Sequence, residues 1–273
     1  MRLKKYQHAL SSLFSQSKQL NLLNQGLTSS CISAAFKKVR KSDYTVEERA
    51  LLKALNYYKE ELLNSDELIS YEIFNSEQKR TVREIASRAG SPQKWCEFYY
   101  MLTKLSNAHS VLEIGTNLGI SGQYFIEGLK SQNGHTNFIT LEGIPRLCEI
   151  ASNRFKQLRT DSISIQVIQG LYDSTFENIT ESNTKFDLVF IDGNHQYEPT
   201  INYFNQLKNN YAKQAIILFD DINWSKGMQN AWGEIIKDKH VSLSVDMYKL
   251  GIIVIEMDKP DHEKTHVELF LGL

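Results

Sequence analysis

The sequence predicts an α/β protein built on a doubly wound sheet of about seven strands. The sheet is mostly parallel, with one antiparallel strand near the C-terminus and a helical N-terminal region. Three observations predict this. The stretch Ser110-Val111-Leu112-Glu113-Ile114-Gly115-Thr116-Asn117-Leu118-Gly119-Ile120-Ser121 reads as a short buried strand that stops in a glycine-rich turn and restarts as a helix. From there to residue 238, short apolar runs alternate with amphipathic segments, as in parallel strands joined by crossover helices. The last two apolar runs, 241–248 and 251–257, are separated only by Lys249-Leu250, which is hairpin spacing.

In chain order, residues 3–14 and 19–39 carry apolar positions at helical spacing, with a break expected at Gly26 and Thr28-Ser29-Ser30. Thr45-Val46-Glu47-Glu48 is a capping box that starts a helix running to about Leu63. Its stripe of Leu51, Leu52, Leu55, Tyr58 and Leu62 suits packing on the main domain. Residues 65–80 are polar and read as irregular. Lys79, Arg80 and Arg83 bring three bases close together at its end and just beyond, as either a solvated face or an anion-binding edge of a substrate pocket. Ser91-Pro92 opens a helix to about Leu105. Strands follow at 110–114, 137–141, 164–168, 188–191 and 215–219. Helices are expected near 119–130, 145–159, 174–180, 198–210 and 225–238, and a further edge strand at 267–271.

The chain has 273 residues, 41% of them hydrophobic, enough for one large domain with an appendage. We divide it into a helical region, 1–75, and a main domain, 76–273. No window approaches the roughly 18 apolar residues of a membrane span. Cys31, Cys96 and Cys148 are far apart, which argues against a disulfide framework and for a reducing, cytoplasmic setting. Charge is unevenly spread. Residues 1–42 hold eight of the 31 bases and no acid, so 23 bases face all 32 acids in the remainder. A basic, acid-free start of this kind suits a helical extension docked on its own body or on a second copy, as in a homodimer. Targeting or attachment to an anionic surface are the alternatives. The acidic main domain and the scarcity of aromatics in the basic arm argue against a nucleic-acid partner.

Ligands of open α/β sheets bind at the carboxyl ends of the strands. A strand ending in a glycine turn presents free backbone N–H groups there, but Glu113 beside the turn suits a cationic ligand better than a phosphate. The five strand ends read Glu113-Ile114-Gly115, Glu142-Gly143, Gly170-Leu171-Tyr172-Asp173, Asp192-Gly193-Asn194-His195 and Asp220-Asp221. An acid lies at or beside each. Carboxylates gathered on one rim repel, so a bound cation or a ligand rich in hydroxyls is the better explanation. Glu142 follows the glycine turn by one helix and one strand, where an acid can accept from ribose hydroxyls. The spacing is G-x-x-x-G, so the dinucleotide fingerprint is missing.

The run from 110 to 256 resembles the class I S-adenosylmethionine-dependent methyltransferases, whose sheet is Rossmann-like. In detail it is similar to the small-molecule O-methyltransferase branch related to catechol O-methyltransferases. The matching segments are Leu112–Ser121, Thr140–Gly143, Val189-Phe190-Ile191-Asp192-Gly193-Asn194-His195-Gln196-Tyr197 and Leu218-Phe219-Asp220-Asp221-Ile222-Asn223-Trp224-Ser225. The resemblance implies that Glu113, Gly115, Thr116, Asn117, Gly119 and Ser121 surround the methionine part of the cofactor. It implies that Glu142 and Gly143 hold the ribose, and that the turn from Gly170 and Leu171 to Asp173 lies against adenine, although the usual Gly-Asp start is missing. Asp192 is then placed against both cofactor and metal, and Asp220 and Asp221 complete a divalent site with it.

Three carboxylates suit magnesium or a similar divalent ion, which lowers the pKa of an acceptor hydroxyl. His195 is the candidate general base, with a metal-shell or adenine-side histidine as the alternative. Asn194, where many relatives have Asp, departs from the pattern and leaves the choice of base open. Trp224, Trp232, Tyr197 and Tyr248 are candidates for an aromatic substrate wall or for ordinary packing. The expected function is methyl transfer from S-adenosyl-L-methionine to a small-molecule hydroxyl with metal assistance. Metal-free N-methylation and a catalytically inactive cofactor-binding protein are the other readings.

Overall fold

The computed structural model describes residues 2–24, 26–259 and 263–272. The side chains of Arg2, Lys4 and Lys5 in the basic segment lie outside the described residues. The helices α1 (Arg2–Leu23), α2 (Leu27–Lys41) and α3 (Val46–Leu62) come first. A small hairpin follows, β1 (Leu68–Ser70) and β2 (Lys79–Thr81), then α4 (Val82–Arg88) and α5 (Gln93–Leu105). The alternating part runs β3 (Ser110–Ile114), α6 (Gly122–Leu129), β4 (Thr136–Glu142), α7 (Pro145–Leu158), β5 (Ile163–Gln169), α8 (Tyr172–Thr180), β6 (Phe186–Ile191), α9 (Tyr197–Gln206), β7 (Tyr211–Phe219) and α10 (Lys226–Ile235). It closes with β8 (Val241–Asp246), β9 (Gly251–Glu256) and β10 (Thr265–Glu268). Eight of these strands form one mostly parallel sheet, the about seven expected together with the further edge strand, which lies at Thr265–Glu268.

Two compact units make up the chain, one of 41–178 and one of 1–40 with 179–273. In the first unit, β3, β4 and β5 are successive parallel neighbours, with Glu113 opposite Thr140 and Glu142 opposite Gln169. In the second, β6 runs parallel to β7, and β9 runs antiparallel to both β7 and β8. The expected late reversal is therefore present. Its partner at the edge, β10, runs parallel to β8.

Each helix can be traced to its sequence. Thr45 Oγ1 accepts from the Glu48 N–H while the Glu48 carboxylate accepts from the Thr45 N–H, completing the capping box of α3. Glu48 is buried and also meets Lys104 Nζ at 2.8 Å. The buried side chains of α3, Leu52, Leu55, Tyr58 and Leu62, recur at helical spacing. In α2 the buried Ile32, Ala35, Phe36 and Val39 form a comparable stripe. Three local expectations differ from the structure. First, α1 is continuous through residues 15–18, and the expected break at Gly26 is present between α1 and α2, but Thr28-Ser29-Ser30 lie inside α2. Ser29 Oγ accepts from the Gly26 N–H, so the serine closes the start of α2 rather than ending a helix. Second, Pro92 is itself the cap of α5 and makes no side-chain capping bond. Third, residues 68–81 form a hairpin, because Leu68 pairs with Thr81 and Ser70 with Lys79 around a single 3-10 turn at Glu72–Phe74.

The α3 cap gives a stability test. Thr45→Ala removes the acceptor for the Glu48 N–H and should cost about 1 kcal/mol in urea unfolding.

Candidate functional site

In the unit of residues 41–178, β3 ends at Glu113-Ile114 and the chain enters its glycine turn. Gly115 (φ 106°) and Gly119 (φ 75°) occupy the left-handed half of backbone space, where a side chain is strained. The turn does not present free amides as predicted. The N–H groups of Gly115 and Thr116 both donate to Leu141 O at 3.0 Å. The Asn117 N–H donates to Glu142 Oε2 at 2.8 Å, the Leu118 N–H to Asn117 Oδ1 at 2.8 Å, and the Gly119 N–H to Thr116 O at 2.8 Å. The turn is thus latched onto the end of β4 before any ligand arrives. From α3, the Tyr58 hydroxyl donates to Leu118 O at 2.6 Å and braces the same turn.

Glu113 lies beneath the turn and is fully buried. Ser121 Oγ donates to Glu113 Oε1 at 2.5 Å, and Thr140 Oγ1 donates to Glu113 Oε2 at 2.8 Å. Thr116 Oγ1 lies 2.6 Å from Thr140 Oγ1 and supplies the proton in that pair, because Thr140 has given its own to Glu113. Thr116 and Ser121 are buried in the same network. Burial pushes the Glu113 carboxyl up to about 7, against the opposing pull of the Ser121 and Thr140 hydrogen bonds. Glu113 therefore underpins the turn from the protein side.

Glu142 is oriented differently. Its Oε1 accepts from the Ile144 N–H at 2.9 Å while Oε2 accepts from Asn117, so one carboxylate ties two strand ends together. Burial raises its pKa, with those backbone donors acting in the opposite direction. The Gly143 N–H acts on the same carboxylate as a third backbone donor, and about one of its four acceptor sites is left for a ligand hydroxyl. Beside it, a Cβ on Gly143 would meet Phe74 at 3.3 Å and Leu171 at 3.6 Å. Phe74 and Leu171 are half-exposed apolar side chains, and Tyr71 lies 6.5 Å from Phe74, ring to ring. Arg80 stacks over Tyr71 at 5.6 Å. Gly170 (φ 148°) turns here, its N–H donating to Glu142 O at 2.9 Å. Sequence reasoning missed Phe74 and Tyr71. The signal was a pair of aromatics in an otherwise polar stretch, which only the hairpin brings over Gly143.

In the unit that includes 179–273, Ile191 ends β6 opposite Phe219 of β7, so Asp192 and Asp220 leave neighbouring strands. His195 Nε2 lies 3.5 Å from Asp192 Oδ1. Asp220 is buried, and Asp221 has a left-handed backbone, φ 52°. Lys249 Nζ reaches both oxygens of Asp220 at 2.7 and 2.5 Å and Asp221 Oδ1 at 3.0 Å. Burial acts to lower the Lys249 pKa, but the surrounding aspartates outweigh it and hold the ammonium above the ordinary lysine range. Among the described residues, no three His, Cys, Asp or Glu side chains are grouped so as to hold a metal ion. The three aspartates expected around a metal are thus not assembled as three ligands, and two of them are already bound to a lysine. Of the aromatic candidates, Trp232 is core, packed on Phe219 and over Gly251. Trp224 is exposed, the Tyr197 hydroxyl donates to Glu234, and the Tyr248 ring lies 5.7 Å from that of His8.

Residues 112–222 match the model of a family described as a methyltransferase domain. A protein of Acanthamoeba polyphaga mimivirus is 28% identical over 157 residues, 51% of this chain and 67% of its own. "Putative O-methyltransferase ML1075" of Mycobacterium leprae is 28% identical over 131 residues, so the match spans 48% of this chain and only 56% of that relative. The O-methyltransferase from Bacillus cereus, solved in complex with SAH, superposes with a TM-score of 0.51 at 21% identity, over 61% of this chain and 82% of its own. At that identity the likeness speaks for the fold. Residues 112–222, less than half of the chain, are thus similar to a methyltransferase domain.

The buried Glu113 generates a pH test. Its folded pKa lies above its unfolded value of 4.5, so the native state binds the extra proton between about pH 4.5 and 7. Stability from this group is present below the unfolded pKa and is lost as pH rises through the folded one. Removing the charge should therefore help more at high pH. Urea unfolding should show Glu113→Gln gaining about 2–3 kcal/mol on the wild type between pH 5 and pH 8. A pH-independent difference between the two proteins contradicts the assignment.

Proposed function

We propose that this chain transfers a methyl group from S-adenosylmethionine to a small-molecule acceptor, with a hydroxyl as the acceptor group. The observation that carries the reading is Glu142. It ends the strand after the glycine turn, is held by backbone N–H groups, and keeps an acceptor site free beside Gly143. Those features fit a ribose diol. Phe74 and Leu171 border Gly143 and offer apolar surface to a flat base. The latched turn at Gly115–Gly119 presents a preformed edge to the amino-acid part, so little ordering entropy is lost on binding. Hydroxyl specificity draws support from the names borne by the relatives.

The cofactor supplies an electrophilic methyl group on a sulfonium. The remaining work falls to side chains of this chain. His195 takes the acceptor proton, and Asp192, 3.5 Å away, orients the ring and stabilises the imidazolium that forms. A resident magnesium does not fit this carboxylate set, because Lys249 already holds Asp220 and Asp221. No step is therefore assigned to a metal. A homodimer through the N-terminal helices remains part of the proposal, with Tyr6, Leu10 and Phe14 exposed at helical spacing along α1.

Calorimetry with S-adenosylmethionine tests the reading. The wild type should give a saturable heat. Glu142→Ala should weaken binding at least about tenfold by stranding two backbone donors and losing the diol. Phe74→Ala should weaken it by about threefold to tenfold through lost apolar cover. Transfer of labelled methyl to a panel of catechols, sugars and amines then identifies the acceptor class. Absence of any heat in the wild type would falsify the proposal.

A further inference from the structure

Two adjacent carboxylates at a strand end, one of them buried, require a counter-charge. The chain brings one to them by strand register. β9 begins at Gly251 opposite Phe219, the last residue of β7, so the loop before β9 runs alongside the residues after β7. The Ile222 N–H donates to Lys249 O at 3.1 Å, and the Lys249 N–H donates to Met247 O at 2.8 Å. Tyr248 between them takes φ 66°, a costly value for a bulky residue. Two bonds hold it there: Asp246 Oδ1 accepts its N–H at 2.7 Å, and Asn223 Nδ2 donates to its carbonyl at 2.8 Å. The hairpin tip is thus fixed, and fixed in the pose that sends Lys249 across to the aspartates.

The ammonium has three N–H donors, and three carboxylate oxygens take them. A divalent ion at the same oxygens has to displace that ammonium and leave it beside a dication in a part-buried loop, where like charges repel strongly. We propose that Lys249 is the built-in cation of this site, occupying the place of a divalent metal and making the carboxylate pair independent of one. The inference rests on the methyltransferase reading only for its consequence, that proton removal from the acceptor falls to His195. Its structural content concerns the aspartate pair alone.

Manganese tests it, because its paramagnetic signal is lost on binding and requires no substrate. The full-length wild type should leave Mn2+ free at concentrations up to about 1 mM, whereas Lys249→Ala should bind it at least about tenfold more tightly. Adding Asp221→Asn to Lys249→Ala should abolish that uptake. Lys249→Arg keeps a cation in place and should exclude Mn2+ as the wild type does. It also serves as the readout if the alanine variant does not fold. Submillimolar Mn2+ binding by the wild type or by Lys249→Arg, lost on Asp221→Asn, overturns the proposal. So does a folded Lys249→Ala that takes up no metal. Calorimetry with S-adenosylmethionine on the same samples separates the two ideas, since loss of that heat removes the methyltransferase reading and leaves the manganese result intact.

Discussion

A carboxylate taken out of water must be met by hydrogen-bond donors or by a cation, at a cost of several kcal/mol if it is not. This chain buries Glu113, Glu142 and Asp220, all at strand ends. The loops around them take their form from how each charge is met. Glu113 receives two hydroxyls, Glu142 receives two backbone amides, and Asp220 receives an ammonium. The three solutions differ chemically, and they give the three carboxylates different capacities. Burial leaves Glu113 able to hold a proton near neutrality, against the downward pull of its two hydroxyl partners. Backbone amides pull the Glu142 carboxyl down against the larger upward push of burial. The ammonium closes Asp220 to other partners.

The glycine turn follows the same logic. Its amides are consumed by Leu141 O, Thr116 O, Glu142 and Asn117, which makes it a rigid edge rather than an open anion cradle. That distinguishes it from turns that bind phosphate through free N–H groups. A ligand at this edge must be recognised through side-chain lone pairs and apolar surface. In the function proposed above, a nucleoside bearing an amino acid meets those terms better than a pyrophosphate does.

Tethering a cation to the backbone has a further consequence. A metal ion is lost by dilution or chelation, whereas a lysine held by Ile222, Met247 and the fixed Tyr248 stays with the chain. It also lacks the metal's open coordination positions, since all its donors point at carboxylates. In the function proposed above, acid–base work near such a pair is assigned to the imidazole 3.5 Å from Asp192.

Period and punctuation were legible in the sequence because they are local. The alternation after residue 110, the hairpin spacing at Lys249-Leu250, the capping box at Thr45 and the acids at the strand ends all lie within a few residues of what they predict. They sufficed for the fold class and for which carboxylates to watch. What each carboxylate touches was decided only by tertiary structure. Thr140 meets Glu113 across 27 residues, Lys249 meets Asp220 across 29, and Phe74 reaches Gly143 from a hairpin that reads as irregular. Strand register sets those meetings, and register is a property of two distant segments at once. A pattern read along one segment therefore shows that a buried charge needs a partner without showing whether the partner is a hydroxyl, an amide, a metal or a lysine.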